Sequence, residues 1–462
     1  MTDSKSIGVS IRPENLLARL ERLPMSRSLI LMRVIVGFAT LFDGFETLAI
    51  AFVMPVLIQE WHLSPTEVGG IISIGYIGQL FGALFFGWLA ERWGRLKCLI
   101  VTVTIFAVMS FSCVFAWSGM VLMVFRFIQG IGTGGEVPVA SAYINEFIGA
   151  KGRGKFFLLY EVLFPVGLMM AGAIGYFIVP AYGWRMMFII GVIPALLIIP
   201  LQFFLPESPR WLISKGRLDK ASAIVERMEK EVEKSGKTLP SVQDVLVQPT
   251  PDKAKAGKGN WTEMFSSFYR PRTLMIWALW LCTYMINNGL ATWLPSLYKT
   301  VFKLSLDQSL LYGFCTQAFG VVASILCAYY IDKVGRRKWY ISALCLAIVP
   351  LSVMSIMGAL SASQVWLFCS LVYACIQTIT FSLYLYSAEL YPTRIRAIGN
   401  GFGSAWLRLG SALGPVVVGN IIAYGGISWV FSFFTVIAFV GATVCWRYAI
   451  ETKGRVLEEL SP

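Results

Sequence analysis

The sequence is short of charge and contains a single histidine, His62, among 462 residues. Asp, Glu, Lys and Arg make up 14% of it, whereas a soluble domain contains roughly 25%. The nine cysteines form no CxxC pair, so neither a metal site nor a disulfide framework is expected. With one histidine, any proton transfer must depend on carboxylates. We expect no cofactor. The sequence shows no pairing of a nucleophile with a base, so we do not expect an enzyme.

Long apolar runs take the place of the missing charge. Hydrophobic residues make up 56% of the chain, and a membrane-spanning helix needs about 20 of them in succession. The composition therefore predicts an all-α integral membrane protein in contact with the lipid bilayer. Twelve runs are long enough to span, beginning near Ile30, Val68, Leu99, Met120, Phe156, Met186, Leu274, Ser309, Tyr340, Val365, Ile398 and Trp429.

The net charge of +13 lies mainly in alternate gaps between these runs. "ERWGRLK" at 91–97 and "DKVGRRK" at 332–338 are basic, whereas "QEWHLSPTE" at 59–67 has no Lys or Arg. Basic gaps remain in the cytoplasm, which predicts that both termini and the middle loop are cytoplasmic. This pattern does not favour a nucleic-acid partner, and no cleavable signal peptide is visible.

The two halves of the chain repeat each other. Three residues recur after a displacement of 243, as the pairs Tyr143 and Tyr386, Glu146 and Glu389, Arg153 and Arg396. We divide the chain into a six-helix half at 1–205, amphipathic helices and a linker at 206–272, and a second half at 273–462. Two parallel six-span repeats are typical of transporters that work by alternating access.

Four motifs resemble those of the major facilitator superfamily. They are "GWLAERWGRLK" at 87–97, "RFIQGIGTGGE" at 126–136, "PESPRWL" at 206–212 and "ETKGRVLEEL" at 451–460. Sugar porters, organic-ion carriers, nicotinate permeases and the synaptic-vesicle glycoprotein group share much of this set. The resemblance implies a twelve-helix major facilitator fold and a transport function.

Asp43 and Glu46 are two acids inside the first apolar run. They lie within roughly 60° of one helix face, and that face must look into the protein because a buried charge needs a partner. Arg126 of the fourth run is the cation we expect to face them. We interpret these residues, with Glu136, as a proton-coupling element; the alternative is a static ion pair. The resemblance leaves the switch open, because a "GYD" motif in sugar porters matches Glu46, whereas "DGFD" in aromatic-acid symporters matches both acids.

Arg408 is the most informative cation. It lies twelve residues beyond Arg396, which is about 18 Å along a helix and near the middle of the bilayer. An arginine at that depth is a functional hypothesis by default, and its planar guanidinium suits a carboxylate. The alternative is an ion pair with an acid of another helix, such as Glu161. The resemblance agrees, because organic-anion carriers also have an arginine in their eleventh helix.

The resemblance to sugar porters also implies the other substrate-binding positions. Glu161 stands where they have a substrate-binding glutamine, Tyr384 where they have a tryptophan, and Asn287 with Asn288 at a pair of glutamines. An acid and Arg408 in such a pocket favour a charged ligand over a polyhydroxylated one. Further residues placed at the same depth are Phe164, Gln317 and Trp406.

Charged residues at the basic gaps predict a cytoplasmic gate. The repeat duplicates acids as well as basic residues, and charge placement by topology alone would not require those acids. We expect salt bridges that form while the site faces outward and break when it opens inward. The residues are Glu91, Arg92, Arg95, Glu146, Arg153, Asp332, Arg336, Arg337, Glu389 and Arg396.

Together these features predict a monomeric, proton-coupled importer of a small organic anion, with nicotinate or another aromatic monocarboxylate as the best fit. Lean loops suggest a bacterial inner membrane. A proton-coupled sugar or polyol porter is the alternative in the same class. A non-transporting receptor on a carrier scaffold is the alternative of another class, although a receptor would not need the acids of the first run.

Overall fold

The apolar runs form helices, because backbone polar groups inside a bilayer must be bonded within their own segment. The structure is a computed structural model that describes residues 12–148, 160–236, 238–242, 261–357 and 361–453. The helices that correspond to the twelve runs are α1 Arg27–Glu60, α2 Pro65–Trp93, α3 Arg95–Val114, α4 Gly119–Phe147, α5 Leu163–Tyr182, α6 Arg185–Phe204, α7 Arg270–Thr300, α8 Leu306–Val334, α9 Arg336–Met357, α10 Ala362–Leu390, α11 Thr393–Gly425 and α12 Ile427–Tyr448.

The predicted all-α membrane fold is confirmed. Eleven of these helices are apolar enough to span a bilayer by composition, and α4, with 29 residues, has the necessary length. The start predicted for the fifth run, near Phe156, lies outside the described residues. Helix α6 is broken: Arg185–Ile190 is followed by a 3₁₀ segment at Ile193–Leu197 and a second helix at Ile198–Phe204.

Serine residues set where the corresponding helices of the two halves begin. Ser64 and Glu67 form a capping box at α2, and Ser305 accepts a hydrogen bond from the Gln308 N–H at α8. Such caps satisfy backbone N–H groups that lack a partner in the first turn. Ser118 and Ser361 cap α4 and α10 in the same way, so the sequence repeat is also a repeat of helix starts.

Glycines let the helices around the first run touch along their backbones. A Cβ at Gly78 of α2 would collide with the Phe127 carbonyl of α4, and one at Gly44 of α1 with the Phe164 carbonyl of α5. Small residues allow such close approach in membrane bundles. The contact at Gly44 fixes the neighbouring Asp43 relative to α5.

The halves meet through α2 and α11. We call the end of the bundle that carries Arg95 and Arg336 the basic end, and the end that carries Pro65 the opposite end. At the opposite end, a Cβ at Gly69 would collide with the Pro415 carbonyl, while the Ser73 hydroxyl donates to the Ala412 carbonyl at 2.6 Å. The halves are therefore packed together from the opposite end toward the middle of the bundle.

Three surface helices, Pro13–Glu21, Pro209–Ser214 and Leu218–Lys234, form a layer on the N-terminal half. Glu229 lies between the guanidinium groups of Arg19 and Arg22, with N–O distances of 2.5 and 2.6 Å. Burial of this carboxyl opposes its ionisation, but the hydrogen bonds and charges of the two arginines outweigh burial and lower the pKa of Glu229. The amphipathic helices predicted after residue 206 are therefore present, whereas the linker predicted at 248–260 lies outside the described residues.

Candidate functional site

A cavity of about 100 Å³ lies between the two halves at the depth of Arg408. It has room for several water molecules and so for a ligand with one small ring. Its walls come from α1, α2, α4 and the start of α5 on one side, and from α7, α10 and α11 on the other. Six of the eight predicted binding residues line it: Glu161, Phe164, Asn287, Asn288, Tyr384 and Arg408.

Arg408 is buried, with 3% of its surface exposed, and its hydrogen-bond partners are neutral. Its guanidinium donates to the Ser404 carbonyl at 3.1 Å and to the Ser404 hydroxyl. It also donates across the interface to the Gly134 carbonyl of α4 at 3.3 Å, while Nε has no partner. Buried charges are normally paired. A guanidinium held only by neutral groups beside a cavity can bind an anion.

Glu161 faces the cavity from the N-terminal half. Its carboxyl makes no hydrogen bond or ion pair with the described residues, so the predicted alternative of an ion pair with Arg408 is not formed in this structure. Tyr284 and Tyr384 lie within electrostatic reach of both Glu161 and Arg408. The cavity thus presents a carboxyl and a guanidinium with aromatic rings near both.

The amide pair of α7 connects to residues that the sequence did not single out. The Tyr76 hydroxyl donates to Asn288 Oδ1 at 3.0 Å, and the Asn288 amide donates to the Ser411 hydroxyl at 2.8 Å. Asn288 is therefore engaged by α2 and α11, whereas Asn287 Oδ1 has no partner. Asn287 is the amide left with a free acceptor for a ligand.

Gln317 and Trp406 do not line the cavity, although we expected them at the same depth. Gln317 accepts a hydrogen bond from the Tyr373 hydroxyl at 2.6 Å. Trp406 packs against Trp277, with ring centroids 5.5 Å apart. Each side chain is occupied inside the C-terminal half, which corrects their predicted placement among the ligand-binding residues.

The two acids of α1 occupy different surroundings. Asp43 lines the cavity, and its Oδ1 has no hydrogen-bond partner. The Glu46 carboxyl lies outside the cavity lining and accepts from the Ser110 hydroxyl and the Gln129 amide, both at 2.6 Å. A Cβ at Gly191, where α6 breaks, would collide with that carboxyl. Although the two acids lie close together on one helix face, they share no hydrogen-bond partner.

The Ser110 hydroxyl has one hydrogen but two acceptors nearby, because it also lies 2.9 Å from the Phe188 carbonyl. If it donates to Phe188, a protonated Glu46 can donate to Ser110; if Glu46 is ionised, Ser110 can donate to Glu46. The same positions therefore accommodate either charge state of Glu46.

Arg126 lies near the acids but does not pair with them as we expected. It donates to the Glu46 main-chain carbonyl at 3.1 Å and to Gln129 Oε1 at 2.7 Å, and its Nε has no partner. Gln129 thus stands between the guanidinium and the Glu46 carboxylate. We had not singled out Gln129, although its position three residues after Arg126 on a helix was a usable signal.

Glu136 is fully buried on α4. Its Oε1 accepts from the Thr40 hydroxyl at 3.0 Å, and its Oε2 has no partner. Thr40 also lies 2.6 Å from the Tyr160 hydroxyl. Among the described residues this acid has no cation within ion-pair distance, so a charge on it would be costly.

The charged residues of the predicted gate are paired within each half. In the N-terminal half, Arg95 lies 2.6 Å from Glu91 and 3.1 Å from Glu146, and Glu207 Oε1 accepts from the Arg95 N–H at 3.0 Å. The guanidinium of Arg92 lies over the Trp88 ring. Arg153 lies outside the described residues.

The C-terminal half repeats this arrangement. Arg336 lies 2.6 Å from Asp332 and 2.9 Å from Glu389, and Glu451 Oε1 accepts from the Arg336 N–H at 2.8 Å. The other two basic residues bond to carbonyls: Arg337 to Trp446 and Arg396 to Tyr391. No ion pair in the described part of the chain joins the basic ends of the two halves.

The acids and cysteines of the described residues form neither a candidate metal cluster nor a disulfide. No group of three His, Cys, Asp or Glu residues there is placed to hold a metal ion. The nine cysteines are free, and eight of them are buried or half-buried. The chemistry of the cavity is that of carboxyls, a guanidinium, amides and phenols.

Comparison with known proteins decides the family. The family model described as sugar (and other) transporter matches residues 29–462. The chain belongs to the sugar (and other) transporter family. Within this family of major facilitator transporters, the niacin transporter of Acinetobacter baylyi is 32% identical over 459 residues, covering 96% of this chain and 99% of that protein. The 4-hydroxybenzoate transporter of the same organism is 28% identical, over 86% of each chain.

The inward open xylose transporter XylE of E. coli has a similar fold. Its TM-score is 0.76 at 18% identity, with 94% of this chain and 99% of that chain covered. This likeness shows the major facilitator fold, and the family match shows that the protein is a multi-pass membrane transporter and not an enzyme.

Proposed function

We propose that this transporter imports a small aromatic monocarboxylate such as nicotinate, together with protons, by alternating access. The observation that carries the proposal is Arg408, a buried guanidinium with neutral partners beside a cavity of about 100 Å³. A guanidinium binds a carboxylate through parallel hydrogen bonds, and aromatic side chains supply faces for a ring. Two relatives, a niacin transporter and a 4-hydroxybenzoate transporter, are named for ligands of this class.

Glu161 favours a ring with a nitrogen. Its carboxyl faces the cavity without a partner, and in its protonated form it can donate a hydrogen bond to a pyridine nitrogen. Benzoate has no acceptor at that place. A site built to bond a polar group discriminates strongly against a ligand that lacks it.

A sugar or polyol porter is the second candidate, because the cavity is also lined by amides. Asn287 and Gln377 can bond hydroxyl groups, and the xylose transporter has the same fold. A neutral sugar cannot form the parallel, charge-assisted hydrogen bonds that a carboxylate makes with Arg408, however. We therefore rank the carboxylate first.

Uptake by proteoliposomes under an imposed pH gradient tests the proposal. We expect saturable uptake of radiolabelled nicotinate that an ionophore collapsing the gradient prevents, and little uptake of xylose. Xylose uptake without uptake of nicotinate, benzoate or 4-hydroxybenzoate would contradict it. Nicotinate uptake that does not depend on the pH gradient would contradict proton coupling but not the choice of ligand.

The same vesicles test the role of Glu161. Glu161→Gln retains a hydrogen-bond donor, whereas Glu161→Leu removes it. We expect Glu161→Leu to lose roughly 10-fold or more in preference for nicotinate over benzoate and Glu161→Gln to retain most of it. An equal loss for both ligands in Glu161→Leu would mean that Glu161 does not contact the ring nitrogen.

The surroundings of the protein are also part of the proposal. We propose a monomer in a bacterial inner membrane with both termini cytoplasmic, which makes the basic end the cytoplasmic end. The basic gaps of the sequence support this orientation, and the bacterial relatives support the membrane. Protease accessibility of the Leu218–Lys234 helix in inside-out vesicles, and its protection in intact cells, would test it.

A further inference from the structure

Asp43 and Glu46 differ in what they face, and that difference separates their roles. Glu46 is held by Ser110 of α3 and Gln129 of α4, each at 2.6 Å, outside the cavity. Asp43 lines the cavity with an unpartnered Oδ1. A ligand in the cavity can therefore act directly on Asp43, but it can reach Glu46 only through other side chains.

Arg408 is the one basic residue among the described residues that line the cavity. It stands on the C-terminal half and acts through space on the Asp43 carboxyl of the N-terminal half. Its Nε has no partner. Asp43 and a bound carboxylate would therefore depend on the same guanidinium for charge balance.

Two carboxylates and one guanidinium cannot all be balanced in a small desolvated cavity. The other titratable groups that act on Asp43 are Glu46 on its own helix, Glu136 on α4, Tyr76 on α2 and Tyr160 before α5. None of these groups is a cation. An anionic ligand at Arg408 thus excludes the ionised form of Asp43, and ionised Asp43 weakens binding of the ligand by the same factor.

We propose that Asp43 is the acid that couples protons to the ligand, by competing with the ligand carboxylate for Arg408, and that Glu46 positions α1 against α3 and α4. This inference rests on the proposed function. Asp43 takes a proton from the solution on the side of entry, which frees the guanidinium for the anion. When the anion leaves on the other side, Arg408 again stabilises the Asp43 carboxylate, and the O–H proton is released there. Anion and proton therefore move in the same direction.

Binding to the purified full-length transporter in detergent tests the competition without transport. Titration with nicotinate in weakly buffered solution containing a pH indicator measures the protons taken up, and calorimetry measures Kd. Glu161→Gln serves as the background, because it removes the other carboxyl that lines the cavity on the ligand's side and keeps a hydrogen-bond donor. In this background we expect close to one proton per nicotinate where Asp43 is ionised, and a Kd that increases roughly 10- to 100-fold from about pH 5 to about pH 8. Adding Asp43→Asn should give tight binding, no proton uptake and a flat Kd.

Three further variants make the result specific. Glu60→Gln removes a carboxyl from the same helix at its far end, where Glu60 bonds Trp184, and should behave as the wild type. Glu46→Gln should retain the proton uptake. Asp43→Glu should restore proton uptake if the carboxyl itself is what matters.

The outcomes distinguish this inference from the proposed function. Loss of proton uptake in Glu46→Gln together with normal uptake in Asp43→Asn would overturn the inference and assign coupling to Glu46. Nicotinate binding by the wild type with no proton uptake at any pH would also overturn it, while leaving an anion site in place. Failure of the folded wild type to bind nicotinate, benzoate or 4-hydroxybenzoate would overturn the proposed function and this inference with it.

Discussion

At the basic end of the N-terminal half, Glu207 accepts hydrogen bonds from the first N–H groups of α3, at 3.0 and 3.1 Å. Glu451 does the same at α9 in the C-terminal half, at 2.8 Å. The Tyr143 hydroxyl donates to the Pro206 carbonyl, and the Tyr386 hydroxyl donates to the Ile450 carbonyl. The two basic ends are thus built from the same bonds.

The walls of the cavity differ between the halves. The residue 243 positions before Arg408 is Pro165, and the residue 243 positions before Ser404 is Glu161. The N-terminal wall carries the acids Asp43 and Glu161, whereas the C-terminal wall carries the cation and most of the amides. The repeat is retained at the basic ends and has diverged at the cavity, where a ligand would bind. As a result, one wall of the cavity is acidic and the other carries the cation.

Replacing Arg408 removes the charge difference between the two walls and should have the largest effect on transport. Truncating one member of a buried charge pair costs 2–5 kcal/mol or more, so we expect Arg408→Ala to lower kcat/KM for nicotinate uptake by roughly 30-fold to more than 1,000-fold. Arg408→Lys keeps the charge but not the planar fork and should recover part of the uptake.

Arg447→Ala is the matched control, because it removes an arginine at the end of α12, away from the cavity. Its uptake should equal that of the wild type. If Arg408→Ala took up nicotinate with unchanged affinity, at equal amounts of protein in the membrane, then the cation of the C-terminal wall would not contribute to binding.

Substitution of the equivalent glycines Gly94 and Gly335 tests whether the basic ends are equal. Both have positive φ, at 117° and 98°, and a Cβ would press against the Glu207 or the Glu451 carboxyl. With ψ near 150° at both positions, the backbone lies in a region essentially restricted to glycine, where an L-residue costs about 1–3 kcal/mol. We expect Gly94→Ala and Gly335→Ala to lower the Tm in detergent by similar amounts.

Gly87→Ala serves as the control, since a Cβ at Gly87 meets nothing within 4 Å; its Tm should not fall, because alanine is favoured over glycine inside a helix. A clear drop in only one of the two test variants would mean that the repeated bonds do not contribute equally to the stability of the two halves.

The surface layer around Glu229 belongs to the N-terminal half, and its pH dependence gives the smallest expected effect. Because Arg19 and Arg22 lower the pKa of Glu229, its stabilisation is present above the unfolded pKa of about 4.3 and is lost as the pH falls through the lower folded value. The pair is partly exposed, with 24% of Arg19 accessible, so we expect less than about 1 kcal/mol.

Hydrogen exchange of the Leu218–Lys234 helix measures this. Glu229→Gln should exchange faster than the wild type near neutral pH and converge with it in acid, whereas Glu233→Gln should match the wild type throughout. Faster exchange in α9 or α12 of Glu229→Gln would contradict an effect confined to the N-terminal half.

The fold could be predicted from the sequence because span length, basic gaps and the 243-residue repeat can each be read without knowing which way a side chain points. The break of α6 was not predictable in this way. Gly191 is one of many glycines in the apolar runs. A side chain is excluded there because it would collide with the carboxyl of Glu46, which is 145 positions away in the chain.

The residues that line the cavity were predictable where an isolated charge stood in an apolar run, as for Arg408 and Glu161. Ser110 and Tyr76 were not, because uncharged polar residues are common in such runs and their partners are on other helices. Gln317 and Trp406 show the converse: depth along a helix is readable from the sequence, but the direction of a side chain toward a neighbour is not.

The hydrogen bond from Arg408 to the Gly134 carbonyl has an evolutionary consequence. Its acceptor is a main-chain oxygen, which carries no titratable proton and does not depend on the side chains that line the cavity. Substitutions at Glu161 or Asn287 can therefore change which ligand is accepted while this link between the halves persists. New substrates can be explored by changing the cavity side chains while this main-chain link holds the two halves together.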